Sequence, residues 1–432
     1  MKKALLMIFI VFLILTACSD KQEGEEEGSG LFVGTWSGTI EIPNQPLNID
    51  VTFANKDELS GMISIPVQGI DQYPLSTVKQ EDKAIIFTMK IQGQYITFDG
   101  ELDGDQIAGT FKQNGQSFPF TLSKGEATAK DETAEADGEF LQVETDEGTL
   151  YGELETPKGE GPFPIMIIIP GSGPTDRNGN TIAGENNSLK YVAEALAKEG
   201  IASLRYDKRG AGKNKEAIGS EEDTSYDLFV DDAAAWIERL KEDEQFTEIG
   251  IIGHSQGSLT AMLAAQKETV DIFISLSGAG RTIDKVMYDQ LSEQLPKDLL
   301  QESQEIMEKV KAGEVVDDVS QDLQSVFHPS VQPFLASWMA YDPAEEIQQL
   351  DIPTLIVNGE NDLQVPVSEA ELLQGARPDA EMLLIEKMNH VLKEAPEDRE
   401  GNMATYLDPE LPLADGLMDG MIRFLKENKI VE

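Results

Sequence analysis

Ile249-Gly250-Ile251-Ile252-Gly253-His254-Ser255-Gln256-Gly257-Ser258 is the stretch that decides the fold. Its apolar run predicts a strand buried on both faces, and Leu259, Met262 and Leu263 beyond it give one apolar face at helical spacing. Between strand and helix lies G-x-S-x-G. A serine at so abrupt a turn is held in a strained backbone conformation that lifts its hydroxyl clear of the sheet, while the flanking glycines avoid clashes with neighbouring chain. The amides of the following helix then point at the serine.

Working outward, two more strands end in loops that carry an acid and a base. Leu355-Ile356-Val357-Asn358-Gly359-Glu360-Asn361-Asp362 runs from an apolar strand into a loop bearing Asp362, and Met382-Leu383-Leu384-Ile385 leads to Asn389-His390. The chain has only 3 histidines. Strands that end on one edge of a parallel sheet bring their loops together, so Ser255, Asp362 and His390 can meet despite their separation. Apolar strands at Pro164–Ile169, Ile201–Tyr206, Asp271–Leu276 and Ile352–Val357 alternate with helical patterns at Leu189–Lys198 and Tyr226–Leu240. That alternation predicts a parallel sheet covered on both faces.

These features resemble the α/β-hydrolase superfamily: G-H-S-Q-G, the G-x-x-D-x-x-V-P loop from Gly359 to Pro366, and the N-H pair at Asn389-His390. The resemblance covers roughly residues 139 to 432. Pro170-Gly171-Ser172-Gly173-Pro174-Thr175-Asp176-Arg177 further resembles a bacterial carboxylesterase group with a G-S-G-P-x-D-R turn after its third strand. The resemblance implies an α/β-hydrolase fold with a helical lid at about residues 281–350 and a serine esterase triad of Ser255, His390 and Asp362. The backbone amides of Ser172 and Gln256 are expected to form the niche for the negatively charged oxygen of the intermediate. A small acyl ester is the implied substrate, with no cofactor or metal. A peptidase or amidase is the enzymatic alternative, since the same triad cleaves amides, and a cell-surface binding protein on a retained scaffold is the other. Within the lid, Phe327, Phe334, Trp338, Met339 and Tyr341 are candidates to line an acyl pocket, against simple core packing.

The competing residues read differently. His254 precedes the nucleophile position and is expected to point into neighbouring structure, and His328, beside Pro329, reads as a surface residue or substrate contact. Glu360 and Glu386 are alternatives to Asp362. Gly210-Ala211-Gly212-Lys213 fails as a phosphate loop, because Asp207 stands in place of its first glycine and Asn214 in place of Ser or Thr. Asp176-Arg177-Asn178-Gly179-Asn180 fails as a calcium loop, because Thr181 and Asn187 replace its glycine and its final glutamate. Asp176 and Arg177 are expected to brace the loop at Ser172, and Asp207 and Arg209 the next turn.

The 79 acidic against 34 basic residues leave a net charge of −45, which argues against non-specific nucleic-acid binding. Met1-Lys2-Lys3 and the apolar run Ala4–Leu15 have the form of an export signal, and Leu15-Thr16-Ala17-Cys18 resembles the bacterial lipobox. Residues 1–17 therefore read as a lipoprotein signal peptide, with lipid on Cys18 anchoring an extracytoplasmic protein to a bacterial membrane. Cys18 is the only cysteine, so no intrachain disulfide is possible. Residues 19–30 lack apolar side chains, and 18–30 reads as a disordered tether. From 31 to 124, period-two alternation with turn signals at Gly93-Gln94, Asp103-Gly104-Asp105 and Asn114-Gly115 predicts a small antiparallel β-sandwich or barrel. It reads as a spacer or substrate-presenting module, or as a ligand-holding barrel. Residues 125–138 form a second linker.

Overall fold

The computed structural model describes residues 31–432 except 42–46, 56–58, 66–69, 92–93, 114–115, 126–137, 182–183 and 294. Cys18, the 18–30 tether, residues 126–137 of the second linker and the turn residues Gly93, Asn114 and Gly115 lie outside the described residues. The chain divides into two compact units at residues 137 and 138.

The first unit is a single antiparallel sheet of nine strands: β1 (Gly34–Ile40), β2 (Leu47–Asn55), β3 (Leu59–Ile65), β4 (Ile70–Pro74), β5 (Thr77–Glu81), β6 (Ala84–Ile91), β7 (Gln94–Asp103), β8 (Gln106–Gln113) and β9 (Gln116–Lys124). Their order is β4-β3-β2-β1-β9-β8-β7-β6-β5, so the first and last strands lie side by side in the middle. In β2, Leu47, Ile49, Val51 and Phe53 are buried and the residues between them are not, the period expected of a sheet with one covered face. That face encloses a core of aromatic rings, with Phe87 stacked on Phe98 at 4.5 Å and Phe53 and Phe120 edge-on to this pair. Trp36 is fully buried and donates its indole N–H to the Phe32 carbonyl at 2.6 Å.

The second unit has eight strands: β10 (Glu139–Thr145), β11 (Gly148–Glu155), β12 (Phe163–Ile169), β13 (Ala202–Tyr206), β14 (Phe246–His254), β15 (Ile272–Leu276), β16 (Thr354–Gly359) and β17 (Glu381–Ile385). They lie in the order β10-β11-β13-β12-β14-β15-β16-β17. β11 is antiparallel to both of its neighbours, and from β13 to β17 all pairs are parallel. This is the α/β-hydrolase fold. Its helices are α1 (Ser188–Lys198), α2 (Tyr226–Lys241), α3 (Gln256–Lys267), α4 (Ile283–Ser292), α5 (Lys297–Lys311), α6 (Gln324–Phe327), α7 (Gln332–Met339), α8 (Pro343–Glu346), α9 (Val367–Ala376), α10 (Arg399–Ala404) and α11 (Leu417–Glu427).

Continuous apolar strands follow from cover on both faces, because successive side chains point to opposite sides. Ile165, Ile167, Ile251 and Phe273 pack with Trp236 and Ile237 of α2 and Met262 of α3. Their neighbours Met166, Ile168, Ile252 and Ile274 pack instead with Leu189 and Val192 of α1 and Met421 and Phe424 of α11. Each such side chain, fully removed from water, contributes about 1.5–3 kcal/mol. Between β15 and β16 the chain leaves the alternation for α4 to α8, the helical insertion expected at about 281–350.

Candidate active site

Ser255 stands between the last residue of β14 and the first of α3, with φ 55° and ψ −122°. Such a conformation costs a residue with a side chain about 1–3 kcal/mol and persists only where its surroundings enforce it. Here the enforcement is steric. A Cβ on Gly253 would lie 2.2 Å from the Gly257 carbonyl oxygen, and one on Gly257 would lie 2.4 Å from that of Ile169. Only glycine at both places lets strand and helix close this tightly. The Ser255 amide donates to the Leu276 carbonyl at 2.9 Å, tying the turn to β15.

Asp362 and His390 are joined directly, Nδ1 of the ring donating to Asp362 Oδ2 at 2.9 Å with both residues buried. The other carboxylate oxygen accepts the amides of Gln364 and Val365, each at 2.8 Å, so the acid has a fixed orientation. Gly359 allows the two loops to approach, since a Cβ there would meet the Met388 carbonyl oxygen at 2.0 Å. Asn389 fixes the loop that carries His390: its side chain donates to Thr405 Oγ1 at 2.7 Å and accepts from the Lys393 amide at 3.2 Å.

Ser255 reaches this pair through its neighbour. The His254 ring lies 4.9 Å from the His390 ring, and His254 Nε2 donates to the His390 carbonyl at 2.7 Å. Burial, reinforced by the adjacent His390 ring, lowers the His254 pKa to about 4, so its imidazole is neutral and serves as a strut. No Ser255–His390 hydrogen bond is present among the described residues; such bonds often tighten only when substrate binds. His328 is exposed and bonded to Ser330 Oγ at 2.6 Å, away from this cluster, and Glu360 and Glu386 are exposed.

Ser172, Gly173, Ser255 and Gln256 line one end of a cavity. A Cβ on Gly171 would lie 3.3 Å from that of Ser255, so the turn after β12 abuts Ser255. Gln256 opens α3, and first-turn amides have no carbonyl partner within the helix. The Ser172 loop is braced as the sequence suggests: Thr175 Oγ1 donates to the Ser172 carbonyl at 2.8 Å, and Arg177 forks onto Asp207 at 2.9 Å. Asp176 accepts the amides of Asn178 and Asn180, each at 2.8 Å. Arg209 pairs with Asp232 through two bonds of 2.7 Å.

The cavity's walls are apolar, formed by Ile283, Val286 and Met287 of α4 and Phe334, Leu335 and Trp338 of α7. Of the five aromatic and methionine candidates, Phe334 and Trp338 line it. The other three do not. Phe327 and Met339 are buried in the core beneath, and Tyr341 hydrogen-bonds Asp227, because an apolar helical face is shared between cavity and core. Lys208 is the residue that sequence reasoning passed over. It is buried, and its Nζ donates to the Gly171 carbonyl at 3.0 Å and to Gln256 Oε1 at 2.7 Å. Its position between Asp207 and Arg209, just past a buried strand, was the available signal.

Residues 183–396 match the family model described as serine aminopeptidase, S33, a span that contains Ser255, Asp362 and His390. The chain is 30% identical over 250 residues to esterase EstD of Thermotoga maritima, an alignment covering 56% of this chain and 58% of that protein. Among solved structures it is similar to Est1E from Butyrivibrio proteoclasticus, with 20% identity and a TM-score of 0.43 over 67% of this chain and 99% of that one. An esterase of Pyrococcus furiosus gives 18% identity and a TM-score of 0.44 over 68% of this chain and 92% of that one.

Proposed function

We propose that this chain, an α/β-hydrolase, cleaves carboxylic esters of apolar acyl groups through an acyl-enzyme on Ser255. The observation that carries the reading is the buried Asp362–His390 bond on the same sheet edge as a strained serine. His390 takes the serine proton as Oγ attacks the carbonyl carbon, and Asp362 holds the imidazole tautomer and stabilises the imidazolium. The amides of Ser172 and Gln256 receive the developing negative charge, a contribution of about 3 kcal/mol for each donor. His390 returns the proton to the leaving alcohol, then activates water to release the acid.

An ester substrate is favoured over an aminoacyl amide by the cavity lining. A free α-ammonium is best matched by a carboxylate, and among the described residues the lining includes Arg281 but no Asp or Glu. The S33 match nonetheless makes aminopeptidase activity the reading to test against. A fluorophosphonate should label the wild-type chain and fail to label Ser255→Ala, with turnover of p-nitrophenyl esters exceeding that of aminoacyl p-nitroanilides. Equal labelling of both proteins, or preferential anilide cleavage, overturns the assignment.

The same proposal places the enzyme outside the cytoplasmic membrane, held by lipid on Cys18. A chain attached by two or more acyl groups is stably membrane-bound, each buried methylene contributing about 0.8 kcal/mol. Cys18→Ala should move the protein from the membrane to the soluble fraction; unchanged membrane partitioning of that variant refutes the anchor.

A further inference from the structure

β13, β12 and β14 are adjacent in the sheet, and the segments that follow their ends carry Lys208, Gly171 and Gln256. The Lys208 side-chain nitrogen bridges the other two. Its two bonds fall on groups joined to the proposed oxyanion donors. The Gly171 carbonyl belongs to the same peptide unit as the Ser172 N–H, and Gln256 contributes its own backbone N–H. Gln256 is fixed a second time by the Tyr226 hydroxyl, which donates to its carbonyl at 3.3 Å.

Resting on the esterase reading above, we infer that Lys208 is a positioning residue of the oxyanion niche, setting the spacing of the Ser172 and Gln256 amides and polarising the first. A donor on a peptide carbonyl strengthens the hydrogen bonds given by that peptide's N–H, and the effect is larger in a low-dielectric interior. Charge makes the same case. Lys208 is buried, with its Nζ 4.6 Å from the Phe229 ring centre, and its two hydrogen-bond partners are uncharged oxygens. The nearby carboxylate of Asp232 is already forked by Arg209. A merely structural cap on the Gly171 carbonyl could be a neutral donor without the cost of desolvating an ammonium. Burial lowers the Lys208 pKa to about 7, and a tetrahedral oxyanion formed beside the niche supplies the counter-charge that favours its protonated form.

The test compares wild type, Lys208→Met, which removes both donors at similar volume, and Lys208→Gln, which keeps a shorter donor. Fluorophosphonate labelling counts active sites, so kcat is expressed per folded molecule. Two inhibitors are then titrated. One is an alkyl trifluoromethyl ketone, which accepts Ser255 Oγ at its carbonyl carbon and becomes an oxyanion as the serine proton passes to His390. The other is the alcohol of the same chain, which makes no such bond. Lys208→Met should lower kcat and ketone affinity together by about 10- to 100-fold, with KM and alcohol affinity within about threefold, and Lys208→Gln should fall between it and wild type. Unchanged kcat in both variants, or equal weakening of ketone and alcohol, overturns the inference. Failure of wild type to label at Ser255 would instead strike the esterase reading itself.

Discussion

His254 is neutral because its surroundings exclude water, and that neutrality links its strut role to pH. With a folded-state pKa of about 4 against an ordinary 6.5, the unfolded chain binds the extra proton first as pH falls. The stability this residue contributes is therefore fully present above about pH 6.5 and is lost as pH drops toward 4. The difference amounts to about 3 kcal/mol, at about 1.4 kcal/mol per pKa unit. Urea unfolding of wild type at pH values across that window should show this loss beyond what His254→Asn shows, since the variant has no imidazole to protonate. Parallel pH profiles for the two proteins would contradict it. The strained turn at Ser255 and the pairing of Asp362 with His390 could be expected from the sequence because each residue sits in a short motif at the end of an apolar strand. Lys208 could not. Its two contacts depend on strand adjacency, which places three segments of distant sequence within hydrogen-bond reach. Phe327, Met339 and Tyr341 failed as pocket candidates for a related reason: periodicity identifies an apolar face without saying whether core or cavity lies against it.

Among the elements, strands of the second unit were legible because burial on both faces leaves an unbroken apolar run, as in Ile165 to Ile169, where every residue is buried. The order in which they associate is not encoded in any one of them. β13 inserts between β11 and β12, so the strand following β12 in sequence lies on the opposite side of it from β14. Right-handed crossover explains the sense of that step, and the packing of α1 on one face and α2 on the other explains its alternation. In the first unit, period-two alternation exposed the strands, yet the pairing of β1 with β9 came only from the register between chain ends. The strand-turn-helix at Ser255 shows local and global demands in conflict. A backbone conformation unfavourable by about 1–3 kcal/mol is retained there because β14 and α3 are each buried in the core on either side of it.

For the whole molecule, the division into two units predicts that the chemistry is separable from the β sheet. The aromatic core of the first unit is drawn entirely from residues between Phe32 and Leu122, and the two cores flanking the second sheet entirely from residues beyond Gly138. The cavity, the Asp362–His390 pair and the Lys208 bridge also draw every residue from the second unit. A unit of that length buries most of the surface its unfolded chain exposes, enough for independent stability. Residues 138–432 expressed alone should therefore fold cooperatively and hydrolyse a small soluble p-nitrophenyl ester with kcat/KM within about twofold of the full chain, corresponding to less than about 0.5 kcal/mol of transition-state stabilisation. The chain from residue 31 onward should show two calorimetric transitions, one of them matching that of the isolated second unit. If the shortened protein aggregates or loses more than tenfold in kcat/KM while the longer chain stays active, the β sheet contributes directly to the folding or the chemistry of its neighbour.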